Sequence, residues 1–355
     1  MEEYATLTNV VSTHLTKHKA FVKAEAYQKE IVAHRNISAV STDEYIRFSC
    51  YTLILCKFFK ELFICYLFQH NNEALGNIVH IYHNMFKTVA ATDYSKFDGN
   101  QNAKTFALEQ IIYLSCIAPH HRNEFSLLMN KATQNVFECG TIKYRPNYTR
   151  QSGSAVTSMG NTMVNITLPI LSHFYHDSDY SKEYKFLRED RHNILKLYNQ
   201  TLGGGDDGAA YDIDIVAYQN MVKYFQMDIV LEQKLTSEPL NLLARDYISP
   251  QTSTGSTLTL DRMLQRFNFV ISNPTISPIE ALRMKTESLI ITEGNTNPLI
   301  SSFSDMLLRV LKGTKYVNAS ARNYSYTTFM KQATALDSEE FEIWLTRLHI
   351  QGHHR

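Results

Sequence analysis

The chain has 355 residues, of which 44% are hydrophobic and only 8 are proline. This composition is typical of a folded globular protein and excludes a disordered chain, and the length suggests about two domains. The 35 basic and 35 acidic residues balance, so no global charge indicates a nucleic-acid partner, and any site for a polyanion must be a local groove.

Cysteine and histidine usage indicates neither a disulfide framework nor a zinc site. The five cysteines are odd in number and contain no CxxC pair, which fits a reducing compartment. The pairs His120-His121 and His353-His354 lack partners at ligand spacing, so we assign no metal to them.

The sequence predicts neither a signal peptide nor a transmembrane segment. The N-terminal stretch MEEYATLTNVV is acidic and only weakly apolar. The most apolar stretch, YTLILCKFFKELFICYLF (51–68), contains Lys57, Lys60 and Glu61, which a bilayer-spanning helix would not readily bury. Its apolar residues recur at helical spacing, so we predict a largely buried amphipathic helix.

Hydrophobic periodicity predicts a mixed α/β fold. Helical patterns cover 43–70, 72–90, 103–117, 122–138 and 214–226, with further helices from 277 onward. Strand-like runs cover 86–94, 201–212, 227–233 and 242–248. A strand that ends in an aspartate, followed much later by a strand–turn–strand with two more, can bring these carboxylates together at one sheet edge.

The first candidate motif is ATDYSKFDGNQN (91–102). If the strand ends near Asp93, the carboxylate lies at the strand tip, and Asp98 begins the following turn or helix. The alternative for Asp98 is a purely structural one, in which it caps the helix from about 103 or forms a turn with Gly99.

The second candidate motif is RQSGSAVTSMGNTMVN (150–165). Thr157 and Asn161 are four residues apart and share a helix face. Ser152-Gly153 would form a flexible loop before that helix, where backbone N–H groups can bind phosphate or sugar oxygens. The alternative is an N-capped helix that packs closely through small residues.

The third candidate motif is LGGGDDGAAY (202–211), which places Asp206 directly beside Asp207. Neighbouring carboxylates repel one another, so these two must either be solvated or serve a function. Because Gly-Asp-Gly clusters are common in turns, a β-turn without function is the alternative.

Together, DYSKFD, SGSAVTSMGNT and GGDD resemble, in this order, the palm motifs A, B and C of viral RNA-dependent RNA polymerases. The resemblance extends from about residue 20 to about residue 310 and is nodavirus-like. The flanking segments are similar to the basic motif F (21–38, with Lys23, Lys29 and Arg35), the end of motif D (228–235, with Lys234), the motif E turn (238–250, with Leu243, Arg245 and Pro250) and the start of a helical thumb (277–299).

The resemblance implies an α+β right-hand polymerase with palm, fingers and a helical thumb. Its expected parts are partial fingers with motif F (1–85), palm with motif A (86–100), a fingers insertion with helices (101–145), palm with motifs B to E (146–250) and thumb (251–355). Polymerases of this class carry a substantial N-terminal fingers extension before motif F, and only about twenty residues precede it here. We therefore expect the N-terminal fingers to be truncated.

The resemblance also implies two-metal nucleotidyl transfer. Asp93 and Asp206 would hold two Mg²⁺ ions, for which Mn²⁺ can substitute, and Asp207 would assist near the primer end. These metals would neutralise carboxylates that otherwise resist proximity. Lys234 is expected to act as general acid to the leaving pyrophosphate.

The remaining roles concern the nucleotide. Asp98, Ser152 and Asn161 would surround the ribose 2′-hydroxyl, supported by Thr157 and the Gly153 loop. The expected triphosphate contacts are Lys23, Lys29 and Arg35, of which Arg35 can grip phosphate bidentately. Arg245 is expected to contact substrate.

The predicted function is RNA-dependent RNA polymerase in viral genome replication, with ribonucleoside triphosphates, template RNA, nascent RNA and other viral replicase segments as partners. The expected location is the host cytoplasm, at membrane-associated replication complexes reached through regions or partners outside this chain. Two alternatives are a catalytically impaired relic that binds RNA or organises a replication complex, and a DNA-templated or reverse-transcribing palm enzyme. Asp93, Asp206 and Asp207 argue against the relic, and Asp98 with Asn161 favours ribonucleotides.

Overall fold

The computed structural model describes residues 17–23, 35–174, 199–267, 276–294, 296–313 and 334–352. These residues form two compact units. The first unit comprises the described parts of 1–23, 34–57 and 96–160, and the second comprises those of 58–95 and 161–355. The fold is mixed α/β with sheets, as the sequence predicts.

Eleven strands occur in the described residues. They are β1 (Lys17–Val22), β2 (Asn36–Ala39), β3 (Thr88–Tyr94), β4 (Val136–Cys139), β5 (Ile142–Tyr144), β6 (Thr201–Gly204), β7 (Asp207–Tyr211), β8 (Ile229–Leu235), β9 (Leu240–Leu242), β10 (Arg245–Tyr247) and β11 (Thr257–Leu258).

Ten α-helices occur in the same residues. They are α1 (Thr42–Leu62), α2 (Asn72–Met85), α3 (Ala103–Cys116), α4 (Pro119–Thr133), α5 (Thr157–Ser172), α6 (Ile215–Tyr224), α7 (Leu260–Phe267), α8 (Pro278–Glu293), α9 (Pro298–Val310) and α10 (Ser338–Gly352). Several of their starts follow standard capping chemistry. Asn102 forms a capping box with Thr105 at α3, and Asp214 accepts hydrogen bonds from two backbone N–H groups of α6.

The first unit contains a four-stranded sheet in the order β2-β1-β4-β5. β1 is antiparallel to β2 and parallel to β4, and β4 is antiparallel to β5. Aromatic side chains pack in the same unit, with the rings of Phe48 and Phe125 stacked at 5.7 Å and Tyr113 edge-on to Phe125.

The second unit contains a four-stranded antiparallel sheet in the order β6-β7-β3-β8 and a three-stranded sheet in the order β11-β10-β9. Val89, Leu202 and Tyr211 from the larger sheet share one buried cluster with residues of α2 and α5, among them Val79 and Ile166. This apolar core fixes the β3 and β6–β7 strands against the helices and thereby fixes their register.

Several predicted boundaries differ from the structure. The predicted 122–138 helix is α4 followed by β4, since the helix ends at Thr133. The predicted 242–248 strand is a hairpin, because Leu243 and Ala244 have positive φ angles of 54° and 59° and form a two-residue turn between β9 and β10. Positive φ at both central positions is the type I′ geometry that matches strand twist.

The amphipathic helix predicted over 51–68 is present, but it is shorter and less buried than predicted. The helix α1 ends at Leu62. One of its faces is buried through residues such as Leu55 and Phe59, whereas Leu53 and Ile54 are 69% and 71% exposed.

All five cysteines lie in described residues and are free thiols. Burial raises the pKa of the Cys65 thiol to about 12. Among the described helices, none combines the length and the apolar character that a bilayer crossing requires.

Candidate active site

The Gly-Gly-Asp-Asp stretch forms the tip of the β6–β7 hairpin. Gly204 pairs with Asp207, so Gly205 and Asp206 are the two turn residues. Gly205 has a φ of +75°, which suits the first position of a type II′ hairpin turn, where glycine is preferred. The predicted turn is therefore present, and Asp206 is exposed at its tip.

Polar side chains of α5 hold this turn. The Gly205 amide donates to Oγ1 of Thr162 at 2.9 Å, and Nδ2 of Asn165 donates to the Gly205 carbonyl at 3.2 Å. A Cβ at Gly208 would lie 2.8 Å from Nδ2 of Asn165. The glycine at 208 thus allows α5 to approach the hairpin closely, and the turn is bonded on both sides of its peptide unit.

Asp93 lies at the end of β3 beside this hairpin. Thr92 pairs with Gly208 in the antiparallel β3–β7 ladder, so the next position in the same register sets Asp93 opposite Asp207. Paired residues of an antiparallel sheet point to the same face. The Asp93 side chain is exposed, and that of Asp207 is half-buried. The three predicted catalytic aspartates therefore share one end of adjacent strands within the second unit.

The donor chemistry of this strand end fits a hard divalent cation. Mg²⁺ prefers oxygen ligands and is usually held by one or two carboxylates together with substrate phosphates. Within the described ranges, no group of three or more His, Cys, Asp or Glu side chains is arranged as a complete metal cage. The exposed carboxylates of Asp93 and Asp206 can supply the one or two protein ligands.

Four of the residues predicted to recognise or support the ribose lie in the first unit. Oγ of Ser152 accepts a hydrogen bond from the Ser38 amide at 3.0 Å, and the Gly153 amide donates to the Ser38 carbonyl at 3.0 Å. Oγ1 of Thr157 donates to the Gln151 carbonyl at 2.6 Å, at the start of α5. Asp98 lies in the turn after β3, where its carbonyl accepts from the Arg150 amide at 2.8 Å. The loop is thus a fixed structure tied to β2.

Asn161 belongs to the second unit, on α5, and its side chain is buried. It directly follows Gly160, the last residue of the first unit. The predicted i,i+4 pair of Thr157 and Asn161 therefore does lie on one helix, as expected from the spacing.

The basic residues of the predicted motif F are only partly described. Lys23 follows β1 and Arg35 precedes β2, and the Lys23 amide donates to the Arg35 carbonyl at 2.8 Å. Both residues thus lie at the same end of the β1–β2 pair, and Arg35 is exposed. Lys29 lies outside the described residues.

The structure does not bring Lys234 to the aspartates. In the β3–β8 ladder Lys234 pairs with Val89, whereas Asp93 pairs with Val230. Four residues of strand separate the two positions, about 13 Å, which is more than a lysine side chain spans. The Lys234 ammonium lies 3.1 Å from Oε1 of Glu232. This register therefore does not support the predicted role of Lys234 as general acid to the leaving pyrophosphate.

The predicted substrate contact of Arg245 is wrong. Its side chain is 4% exposed. The guanidinium donates to both carboxylate oxygens of Glu293, at 2.5 and 3.1 Å, and to Oγ and the carbonyl of Ser256. These bonds use four of the five N–H donors of the buried cation, so Arg245 fastens the β10 hairpin to α8.

Sequence reasoning missed the residues that support the site. Thr162 and Asn165 hold the aspartate turn, and polar residues at i and i+3 within an apolar helix were a usable signal. Arg150 pairs with Glu109 in the first unit. Nothing in the sequence links residues so far apart, so this pair was not predictable.

Comparisons with known proteins show similarity to viral polymerases. Residues 55–179 match a family described as viral RNA dependent RNA polymerase. The chain is 26% identical over 283 residues to an RNA-directed RNA polymerase of Atlantic halibut nervous necrosis virus, covering 78% of this chain and 27% of the relative. It is 24% identical over 339 residues to that of Pariacoto virus, covering 89% of this chain and 31% of the relative. The chain thus spans less than a third of the length of these relatives.

Solved structures show the same fold. The crystal structure of the RNA-dependent RNA polymerase of a human picorbirnavirus matches with a TM-score of 0.65 and 16% identity, over 82% of this chain and 55% of that one. The sequence relatives and the matching family confirm the resemblance that the sequence motifs indicate. This chain is similar to the nodavirus-like viral RNA-dependent RNA polymerases.

Proposed function

We propose that the chain catalyses template-directed RNA synthesis, adding ribonucleotides to an RNA 3′ end in viral genome replication. The observation that supports this most strongly is the strand end that carries Asp93, Asp206 and Asp207. The relatives are named RNA-directed RNA polymerases, and the three motifs by which the sequence resembles viral polymerases include these aspartates.

The proposed architecture is a right hand. The palm would comprise 86–100 and 146–250, the fingers 1–85 and 101–145, and the thumb 251–355. The antiparallel sheet of β3, β6, β7 and β8 supports the palm assignment. The mainly helical content of the described residues after 259, α7 to α10, supports the thumb assignment.

In the proposed mechanism, Asp93 and Asp206 would hold Mg²⁺ or Mn²⁺, as the polymerase family generally depends on divalent metals. When bound, two such ions stabilise the charge that builds on the attacking and leaving oxygens. The β6–β7 turn presents Asp206 at a fixed position, because Thr162 and Asn165 bond the preceding Gly205. Asp207, which pairs with Gly204 next to the turn, would help to position the primer 3′ end.

The proposed nucleotide contacts follow the family roles. Asp98, Ser152 and Asn161 would recognise the ribose 2′-hydroxyl, which distinguishes RNA from DNA precursors. Thr157 and Gly153 would keep the Ser152 loop in place, which their observed bonds to Gln151 and Ser38 support.

Phosphate binding would fall to the basic residues of the β1–β2 end. A nucleoside triphosphate brings several negative charges, and a guanidinium can bind phosphate with two parallel hydrogen bonds. Arg35 and Lys23 lie together at this end, and template and nascent RNA are the further proposed partners. Lys234 is not part of the proposed proton transfer, and Arg245 is not part of nucleotide binding.

A catalytically impaired relic is the less favoured function. Clustered exposed carboxylates repel one another without a cation, and a relic gains no stability from them. The glycine-rich turn and its two bonds from α5 keep Asp206 in place. This arrangement favours a role for the Asp206 carboxylate in metal binding over a relic without one.

A template-dependence experiment tests the proposal. Purified chain is incubated with primed RNAs that differ only in the first templating base, with each of the four ribonucleoside triphosphates and Mg²⁺. We expect only the complementary nucleotide to be added and the chelator EDTA to stop the addition. Addition that ignores the templating base, or no addition with either Mg²⁺ or Mn²⁺ by folded protein, contradicts the proposal.

A further inference from the structure

A buried ion pair joins α3 to the segment before α5. The side chains of Arg150 and Glu109 are 9% and 2% exposed. Nη1 of Arg150 donates to Oε2 of Glu109 at 3.1 Å, and Nη2 donates to Oε1. Two parallel bonds of this kind fix the guanidinium plane and not merely its charge.

The same arginine is tied to the turn that contains Asp98. The Arg150 amide donates to the Asp98 carbonyl at 2.8 Å. Burial acts to lower the pKa of Arg150, but the charge and hydrogen bonds of Glu109, with a smaller contribution from the charge of Asp98, raise that pKa above its usual value. The Asp98 carboxylate therefore lies within electrostatic range of the guanidinium.

The ion pair also packs on the backbone of α5. A Cβ at Gly160 would lie 2.6 Å from Oε1 of Glu109 and 2.8 Å from Nη2 of Arg150. The pair therefore packs against the backbone of α5 at Gly160, within the first unit. A larger residue at 160 would displace one of the two charged groups.

Ser152 follows Arg150 by two residues. The intervening Gln151 makes hydrogen bonds through both its backbone carbonyl and its side chain. Its carbonyl accepts from Oγ1 of Thr157 at 2.6 Å, and its Oε1 accepts from Nδ2 of Asn135 at 3.2 Å. Because these bonds restrain Gln151, a displacement of Arg150 is expected to displace Ser152 as well.

We propose that Arg150 and Glu109 are positioning residues that set the preference for ribonucleotides over deoxyribonucleotides. The inference rests on the proposed function, in which Asp98, Ser152 and Asn161 recognise the 2′-hydroxyl. The backbone amide of Arg150 bonds the Asp98 turn, and its side chain, paired with Glu109, lies two residues before Ser152 and packs on Gly160. Within the first unit, Arg150 and its partner thus support the segments that carry Asp98 and Ser152.

The test compares two equally buried arginine–glutamate pairs. Arg150→Lys keeps the charge but loses the second parallel hydrogen bond. Arg245→Lys makes the same change in the Arg245–Glu293 pair, whose side chains are 4% and 0% exposed, and serves as the matched control. For each variant, kcat/KM is measured for a ribonucleotide and the corresponding 2′-deoxyribonucleotide on primed RNA.

We expect Arg150→Lys to lower the ribonucleotide preference by about tenfold or more, because a site that hydrogen-bonds a substrate hydroxyl loses discrimination when its donors shift. The loss should fall on kcat/KM for the ribonucleotide, with the deoxyribonucleotide value nearly unchanged. Arg245→Lys should leave the preference within about twofold of wild type. A merely structural role would lower both rates together and spare the ratio.

An unchanged preference in folded Arg150→Lys protein overturns the inference, as does an equal change in Arg245→Lys. If Arg150→Lys does not fold, Glu109→Asp, which retracts the carboxylate by one methylene, is measured against the same criterion. If the wild type extends primers and prefers ribonucleotides while neither variant alters the preference, only this inference fails. If the wild type extends no primer, the proposed function fails and the inference fails with it.

Discussion

The strand end that carries Asp93 and Asp206 and the loop that carries Ser152 are held in place by different means. In the second unit, backbone pairing of β3, β6 and β7 sets the aspartates, and their side chains are left exposed. In the first unit, side-chain hydrogen bonds and a buried ion pair hold the Ser152 loop. A substitution at the strand end should therefore change activity without changing the free energy of unfolding. A substitution that moves the Ser152 loop should change both.

The largest expected effect separates activity from stability at the strand end. Asp93→Asn should lower the rate of RNA synthesis by about a thousandfold or more, because the neutral amide is a poor metal ligand. The free energy of unfolding should change by no more than about 0.5 kcal/mol, since the side chain is exposed. Single-turnover extension and urea denaturation measure the two quantities.

Asp305→Asn is the matched control for that variant, because Asp305 is an exposed aspartate on α9. It should leave both the rate and the stability near the wild-type values. Comparable loss of activity in the two variants would contradict the separation.

A buried amide in the first unit should behave in the opposite way. Nδ2 of Asn135 donates to Oε1 of Glu44 at 2.7 Å and to Oε1 of Gln151 at 3.2 Å. Asn135→Leu leaves a buried carboxylate without this donor, so the free energy of unfolding should fall by about 3 kcal/mol. Urea denaturation measures the loss, and the rate of RNA synthesis should fall with it.

Asn130→Leu is the control, since Asn130 is an exposed residue on α4. Its free energy of unfolding should stay within about 0.5 kcal/mol of wild type. Equal stability of the Asn130 and Asn135 variants would show that the polar network is not what holds the loop.

The core beneath the sheet should show a pH dependence from His83. Burial lowers the pKa of His83 to about 4, with a hydrogen bond to Val79 opposing this shift. The unfolded chain has a histidine pKa of about 6.5 and binds more protons as the pH falls. The stability associated with neutral His83 is therefore complete above pH 6.5 and is lost between pH 6.5 and 4, by about 2 kcal/mol from pH 7 to pH 5.

Urea denaturation of wild type and His83→Phe at both pH values isolates this contribution. The variant should show a drop in stability from pH 7 to pH 5 that is smaller by about the same 2 kcal/mol. The same pH dependence in both proteins would mean that His83 is not the neutral group beneath Tyr211.

The smallest expected effect concerns Lys234, which the β3–β8 register sets opposite Val89. Lys234→Ala should lower the rate of RNA synthesis by less than about tenfold, because a general acid contributes about a hundredfold or more. Single-turnover extension measures the rate. A loss of several hundredfold would show that the lysine reaches the leaving group despite this register.

The sequence allowed the strand end to be predicted because its signals are local. Glycines beside Asp206 indicate a tight turn, and the short apolar run Val89-Ala90-Ala91 before Asp93 is consistent with a strand. The support for the loop was not predictable, because Glu109 and Arg150 come together only in the folded unit. Arg245 was misassigned for the same reason, since only the structure shows that Glu293 neutralises it.

Short strands were missed on similar grounds. β1 and β4 pair in parallel although about 110 residues separate them, and the four residues of β4 follow a helical pattern without a glycine or proline to mark the change. Such strands depend on partners far away in the sequence, so their own residues carry a weak signal.

The central claim is that Asp206 takes part in metal-dependent nucleotidyl transfer. The most direct measurement is single-turnover addition of one ribonucleotide to primed RNA across a Mg²⁺ titration, for wild type, Asp206→Asn and Asp305→Asn. We predict addition that rises with Mg²⁺ and saturates in the wild type and in Asp305→Asn, and none above background in Asp206→Asn. Addition by folded Asp206→Asn at the wild-type rate and with the wild-type Mg²⁺ dependence would contradict the claim.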